Sequence, residues 1–336
     1  MPFEILRNDI TKMAVDAIVN TANPQPVIGA GTDGMIHAAA GPRLLKARQK
    51  IGAIEVGCAA VTPAYGLQAK YVIHTVGPIW QGGTQGEEAR LRQCYDRTLA
   101  LALKKKCRSI TFPLISSGTY GFPKDKALQI AISAFSTFLT EQEMQIYLVV
   151  FDRSAFRLSE QLFQGVASYI DENYVDTCHR TFRETDQRRH LLPRAPAPSV
   201  CRQVICEDAA PQAAMSLEEM LQQEDAGFSE TLLKLIDRRG KKDSEIYKKA
   251  NLSKQHFSKI RNNPHYKPTK PTAIALALAL ELDLADTRDL IGRAGYALSN
   301  SSKFDLIIRY FIERKIYNVM EINCVLFEHD QSLLGT

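Results

Sequence analysis

Long apolar runs are missing from this chain of 336 residues, and it carries a single tryptophan. A membrane-spanning helix needs roughly 18 consecutive apolar residues. The longest candidate, Ala273–Leu280, stops at Glu281, so no membrane association is expected. Seven cysteines occur, none in C-x-x-C spacing, which argues against a zinc ribbon and for reduced thiols in the cytoplasm. H-E-x-x-H and G-x-x-x-x-G-K-[ST] are both absent, which disfavours a zinc protease and a P-loop NTPase. The opening MPFEILRND has an acid at position 4 and no apolar core, unlike a secretory signal. No metal and no cofactor are expected.

What is present reads as globular: 45% hydrophobic and 24% charged residues, over about two domains' length. The net charge of +5 hides two opposed blocks. Residues 234–270 hold 12 Lys/Arg against 3 Asp/Glu, whereas residues 203–233 hold 7 acids and no Lys or Arg. Such asymmetry points to a polyanion partner for the basic block.

Three regions separate. From 1 to 176, short β-branched or aromatic runs (Val15–Asn20, Tyr71–Thr75, Ser109–Phe112, Ile146–Phe151) alternate with helical patterns (Glu87–Lys106, Lys124–Leu139, Ser154–Asp171). That alternation predicts a three-layer α/β domain with a largely parallel sheet. Residues 177–228, with the proline-rich HLLPRAPAPSV, read as a flexible linker. From 229 to 336 the pattern is all helical: Glu230–Arg239, Asp243–Ala250, Ser253–Arg261, Thr272–Leu282, Thr287–Ala294, Ser302–Tyr317 and Val319–His329. Ser229 and Ser253 are candidate N-caps, and Gly240 fits a C′ position.

Three N-terminal segments share a plan in which a strand ends, a small-residue loop follows and a helix begins. They are VDAIVNTAN (15–23), GAGTDGMIHAAAG (29–41) and PLISSGTYGFP (113–123). Ligands of open α/β sheets bind beyond the carboxyl ends of strands. Successive backbone N–H groups and a helix N-terminus there attract phosphate oxygens. Tight turns alone would explain the same glycines.

In order and spacing these segments resemble the MacroD-type branch of the macrodomain family. The resemblance extends to NDIT (8–11), Thr62, VIHTVGP (72–78) and CYDRTLALA (94–102). It implies a macrodomain fold, a mixed central sheet with flanking helices, ahead of the all-α region. It also implies binding of ADP-ribose or ADP-ribosylated protein. The activity implied is removal of ADP-ribosyl groups from acidic side chains or deacylation of O-acyl-ADP-ribose. The alternative is a non-catalytic reader or sensor that controls a DNA- or protein-binding regulator.

Residue by residue, the resemblance makes Asp33 the catalytic carboxylate and Asn23 the holder of the distal ribose. Asp16 would read adenine, and Asn20, His37 and Ile10 would line the site. Gly29, Ala30 and Gly31 would form one phosphate loop and Ser116, Ser117, Gly118, Thr119 and Tyr120 the other. Phe151 would stack on the base. An Asp in a helix's first turn, as Asp33 is expected to be, is favoured by the dipole. Where the family carries a longer glycine run, this chain has Val27-Ile28-Gly29-Ala30-Gly31 after Pro24 and Pro26. A β-branched Ile28 is poor at positive φ, which bears on the distal-ribose pocket. Cys58 and His74 fall on segments that could meet, with packing the simpler role.

The stretch DSEIYKKANLSKQHFSKI (243–260) places Ile246, Ala250, Leu252 and Phe257 where a helix-turn-helix buries its contacts, and Asn251 at a turn that asks for left-handed backbone. Residues 229–296 resemble lambda-repressor-like domains, with the reading pair at 243–261. The resemblance makes Lys254, Gln255, Ser258, Lys259 and Arg261 candidate nucleic-acid contacts, with DNA a candidate partner through 243–270. A protein-binding helical domain is the competing reading. Tyr247 stands where a small residue is usual.

Overall fold

A computed structural model describes residues 2–150, 164–171 and 226–335. Its first part is a six-stranded sheet in the order β1-β6-β5-β2-β4-β3. The strands are β1 (Phe3–Arg7), β2 (Val15–Thr21), β3 (Ala59–Pro63), β4 (Ala69–Thr75), β5 (Ser109–Phe112) and β6 (Gln145–Val150). All neighbours run parallel except β3, which is antiparallel to β4. Four strands follow the sequence expectation. β1 and β3 are additions: each is five residues long, and β3 is built from small residues, so their pattern is weak.

The strands alternate faces, as the period of two requires. Ala17, Val19, Ile110, Phe112, Ile146 and Leu148 pack against α3 (Glu87–Lys104) and α4 (Lys124–Glu141). Ile18, Val72 and Val149 share the opposite face with residues of α1 (Thr32–Ala40) and α2 (Pro42–Ile51). The result is the three-layer α/β architecture with a mixed sheet. A short 3-10 helix, Ile10–Lys12, follows β1.

The C-terminal part is helical: α5 (Phe228–Arg238), α6 (Asp243–Lys249), α7 (Lys254–Asn262), α8 (Lys270–Ala279), α9 (Leu284–Arg293), α10 (Lys303–Glu313) and α11 (Val319–Glu328). Ser253 caps α7, its side chain accepting from the His256 N–H, and Gly240 has the positive φ of a C′ residue. Ser229 is not a cap. Gly227 takes that position, and Ser229 lies inside the first turn with its hydroxyl buried and without a partner among the described residues. Ile246, Ala250, Leu252 and Phe257 are buried. Residues 164–171 are helical, and Val166 and Ile170 join this region's apolar cluster rather than the sheet's, although the sequence grouped them with the strands. Phe151, most of the expected linker and the start of the expected helix 154–171 lie outside the described residues.

The two parts share packing. On α11, Met320 and Cys324 enter the sheet's apolar cluster, while Ile322, Val325 and Leu326 enter the helical one. Asn251, at φ 57°, is fully buried. Its side chain accepts from the Phe3 N–H at 3.0 Å and donates to the Phe3 carbonyl at 2.9 Å. One amide thus pairs the open edge of β1 as a neighbouring strand would. Tyr247 packs near Phe257 and donates to Glu143 on the sheet side at 3.2 Å, so its ring packs within the helical part and its hydroxyl serves the contact between the two parts. These contacts lie near the start of β1, and the cleft described next lies beyond its end.

Candidate functional site

A cleft of about 350 Å³ opens at the C-terminal ends of β1, β2, β5 and β6. This is where parallel sheets place ligands. One wall is the loop from β2 into α1, with Asn23, Gly29, Ala30, Gly31, Thr32 and Asp33. The other is the loop from β5 toward α4, with Ser116, Ser117, Gly118, Thr119 and Tyr120. Asn8 and Ile10 close one end.

The loops are shaped by backbone demands. Gly31 caps α1 at φ 65° and ψ −134°, a region side chains avoid. Ser116 holds φ 63° without being glycine, a strain of about 1–3 kcal/mol of the kind found at functional loops. Gly77 lies so close to it that an added Cβ would stand 2.0 Å from Ser116 Oγ. Backbone N–H groups of Ala30, Gly31 and Thr32, and of Ser117, Gly118, Thr119 and Tyr120, have no backbone acceptor among the described residues. Two rows of N–H groups with a helix N-terminus behind one of them suit an anion with more than one negative centre. Gly29, Gly31 and Gly34 also have the G-x-G-x-x-G spacing. A dinucleotide turn follows its strand directly, whereas here seven residues separate Thr21 from Gly29.

Asp33 is the second residue of α1 and lines the cleft while only 3% exposed. Its Oδ2 accepts from the Gly29 N–H at 2.5 Å and its Oδ1 from Asn20 Nδ2 at 2.6 Å. His37, one turn on, places Nε2 at 3.6 Å from Oδ1. Burial pushes the His37 pKa down; Asp33 opposes this and Arg48 adds to it. Across the cleft the Tyr120 hydroxyl donates to Asn23 Oδ1 at 3.4 Å. Burial first, then the charge on Asp33, raises the Tyr120 pKa and keeps it a donor.

Several expected contacts are placed elsewhere. Asp16 stands near the start of β2, about 16 Å of strand from the cleft. Its carboxylate meets Lys70 at 2.7 Å and accepts the Arg108 N–H at 2.6 Å. It is not a lining residue, because strand direction puts it at the wrong end of the sheet. The acid beside the Asn8–Ile10 end is Asp9, held by the Thr11 N–H and hydroxyl. Asn20 and His37 are buried behind the cleft wall and reach it only through Asp33. Ile28 is absent from the positive-φ residues and is half exposed, so it does not intrude on the lining. The other named loop residues, with Ile10, do line the cleft.

Sequence reasoning missed Arg48. Its guanidinium, 2% exposed, donates to the carbonyls of Gly52, Asn23 and Pro24 and so ties down the loop carrying Asn23. Lying in the charged run KARQK, it gave no signal. His74 turns to Asn20 and Thr62, and Cys58 lies instead beside Arg97. Among the described residues no group of three His, Cys, Asp or Glu could hold a metal ion, and no helix is long and apolar enough to cross a membrane.

On the second candidate surface, Lys254, Gln255, Ser258 and Lys259 are exposed along α7. Arg261 is paired with Asp243.

A family model described as "Macro domain" matches residues 19–131. A macro domain-containing protein of Methanosarcina mazei is 47% identical over 153 residues, covering 45% of this chain and 82% of that protein. The protein of Escherichia coli strain K12 named O-acetyl-ADP-ribose deacetylase is 44% identical over 164 residues, covering 47% of this chain and 93% of that protein. A solved structure of the Oceanobacillus iheyensis macrodomain with ADP is 38% identical, with TM-score 0.45, and covers 47% of this chain and 88% of that one. The chain belongs to the macro domain family.

Proposed function

We propose that this protein binds ADP-ribose in the cleft and hydrolyses esters of it, deacylating O-acyl-ADP-ribose or releasing ADP-ribose from acidic side chains. The observation that carries this reading is the position of Asp33. A carboxylate held on both oxygens lines a cleft whose walls offer two rows of backbone N–H groups. The diphosphate would lie between the 29–32 and 117–120 loops. Adenine would lie toward Asn8 and Ile10, with Asp9 rather than Asp16 in reach of its amine. The distal ribose would lie between Asn23 and Tyr120, whose amide and hydroxyl suit a sugar diol. Asp33 then orients a water and takes its proton as the water oxygen attacks the ester carbonyl; the bond from that carbon to the ribose oxygen breaks, and the proton passes to the departing ribose oxygen, giving the free acid and ADP-ribose. The names of relatives near 45% identity support the acyl-ester substrate.

Asp33→Ala is expected to lose at least ~10²-fold in rate, the low end for an acid–base residue, with ADP-ribose affinity changed much less. The assay is hydrolysis of O-acetyl-ADP-ribose and of acid-linked ADP-ribosyl protein, beside calorimetry with ADP-ribose. Tight binding without turnover of either substrate selects the non-catalytic reader instead.

For the helical region the second reading is a polyanion-facing surface on α7. Lys254 and Lys259 have no acidic partner among the described residues. Attraction to phosphate backbone weakens steeply with salt, so retention of duplex DNA by the full chain should fall as salt rises and vanish in Lys254→Glu/Lys259→Glu. Absence of retention at low salt removes this reading.

A further inference from the structure

We infer that His74, acting through Asn20, is a positioning residue that sets the orientation of the Asp33 carboxylate. The inference rests on the hydrolytic reading above. Its geometry begins in the register. Asn20 on β2 is paired with His74 on β4, and both lie on the sheet face that α1 covers. Asn20 Nδ2 donates to Asp33 Oδ1 at 2.6 Å and meets His74 Nδ1 at 3.2 Å. An amide nitrogen has two hydrogens and accepts nothing, so His74 Nδ1 must be the acceptor. The ring proton then sits on Nε2, which donates to Thr62 Oγ1 at 3.0 Å.

The chain Thr62–His74–Asn20–Asp33 is buried throughout. Asn20 Oδ1 is buried with no partner among the described residues. Nothing on its oxygen side therefore orients the amide, and only the two acceptors facing Nδ2 do so. A flipped amide would set Oδ1 against a carboxylate oxygen and against an unprotonated ring nitrogen. A protonated His74 would set a donor against a donor and release the amide. The charged and titratable groups facing His74 are Arg48 from α2 and His37 from α1, whose ring lies 6.3 Å away. Burial, then Arg48, then His37 push the His74 pKa down to about 3. The ring thus stays a neutral acceptor wherever the fold is intact near neutral pH. With the Gly29 N–H holding Oδ2, Asn20 supplies the second point that stops the carboxylate from turning.

The test compares His74→Leu with His74→Asn in the full chain. Leu and Asn have the same shape, but Asn keeps an acceptor where Nδ1 stands. We expect His74→Leu to lose about tenfold in kcat on O-acetyl-ADP-ribose, the size of one buried charge-linked hydrogen bond, with KM and ADP-ribose affinity within about twofold. His74→Asn should recover most of that loss. In an Asp33→Ala background His74→Leu should cost nothing further, because the group it positions is gone. Equal losses in both variants, no loss in His74→Leu, or a further loss without Asp33 would overturn the inference. If the unaltered chain hydrolyses neither substrate, the hydrolytic reading fails on its own, and the positioning chain is judged by nitrogen NMR of the ring. The Nε2–H tautomer is expected, and an Nδ1–H tautomer would overturn it.

Discussion

The two parts of this molecule use polar side chains in opposite ways. Around the cleft, Asn20, Asp33, His37, Arg48, Thr62 and His74 are each under 10% exposed and lean on one another toward one carboxylate. In the helical part, several cations stand at or near the surface and meet acids there or just beneath it. Lys241 and Lys249 meet Glu281, Arg261 meets Asp243, Lys234 meets Glu230, and Lys270 reaches buried Asp305. Lys248 donates to the Thr140 carbonyl of the sheet part. Five of the twelve cations in the basic block conspicuous in the sequence thus have an acidic partner among the described residues, two of them sharing Glu281. A local charge count measures composition, whereas a field depends on which charges are left without a partner.

The largest expected effect is on the buried side. Arg48→Met should lower stability by about 3 kcal/mol or more, because three carbonyls lose a charged donor in a desolvated place. It should also weaken ADP-ribose binding by releasing the loop that carries Asn23. Urea unfolding and calorimetry read both effects. Next, Asp9→Ala should weaken ADP-ribose about tenfold, the effect of one charge-assisted hydrogen bond, while Asp16→Ala stays within about twofold. The reverse order would move the base-reading end to the wrong end of the sheet.

Acidification tests the same buried cluster. Folded, His74 titrates at about 3, against about 6.5 in an unfolded chain. As pH falls below 6.5 the unfolded chain takes up the proton first. The contribution is whole above 6.5 and is lost between 6.5 and 3, by at most about 1.4 kcal/mol per pH unit. His37, whose pKa is also pushed down, acts in the same direction. Denaturant midpoints from pH 7 to 5 should fall, and His74→Asn should flatten the slope. The smallest effect belongs to the surface pairs. Asp243→Ala should cost under about 1 kcal/mol, and a loss as large as that of Arg48→Met would erase the contrast drawn above.

Most of the cleft was legible because its demands are local. Gly29, Gly31 and the Ser116–Tyr120 loop announce themselves through turns, and Asp33 through a helix start. Asp16 was misplaced because both ends of β2 carry polar residues and only strand direction separates them. Arg48 and the Asn20–His74 pair left little trace, since their partners lie on other elements. Asn251 was visible as a left-handed turn residue, but its clasp on Phe3 joins positions 248 residues apart.

The one-dimensional pattern thus determined the alternation of strands and helices, the two anion-facing loops and the carboxylate beside them, because periodicity, turn chemistry and helix starts act over a few neighbouring residues. Packing in three dimensions decided which polar groups face the cleft, which stand behind it and which lysines keep an open charge. Those outcomes depend on register between strands and on contacts between distant segments, where burial makes each unmet hydrogen bond costly.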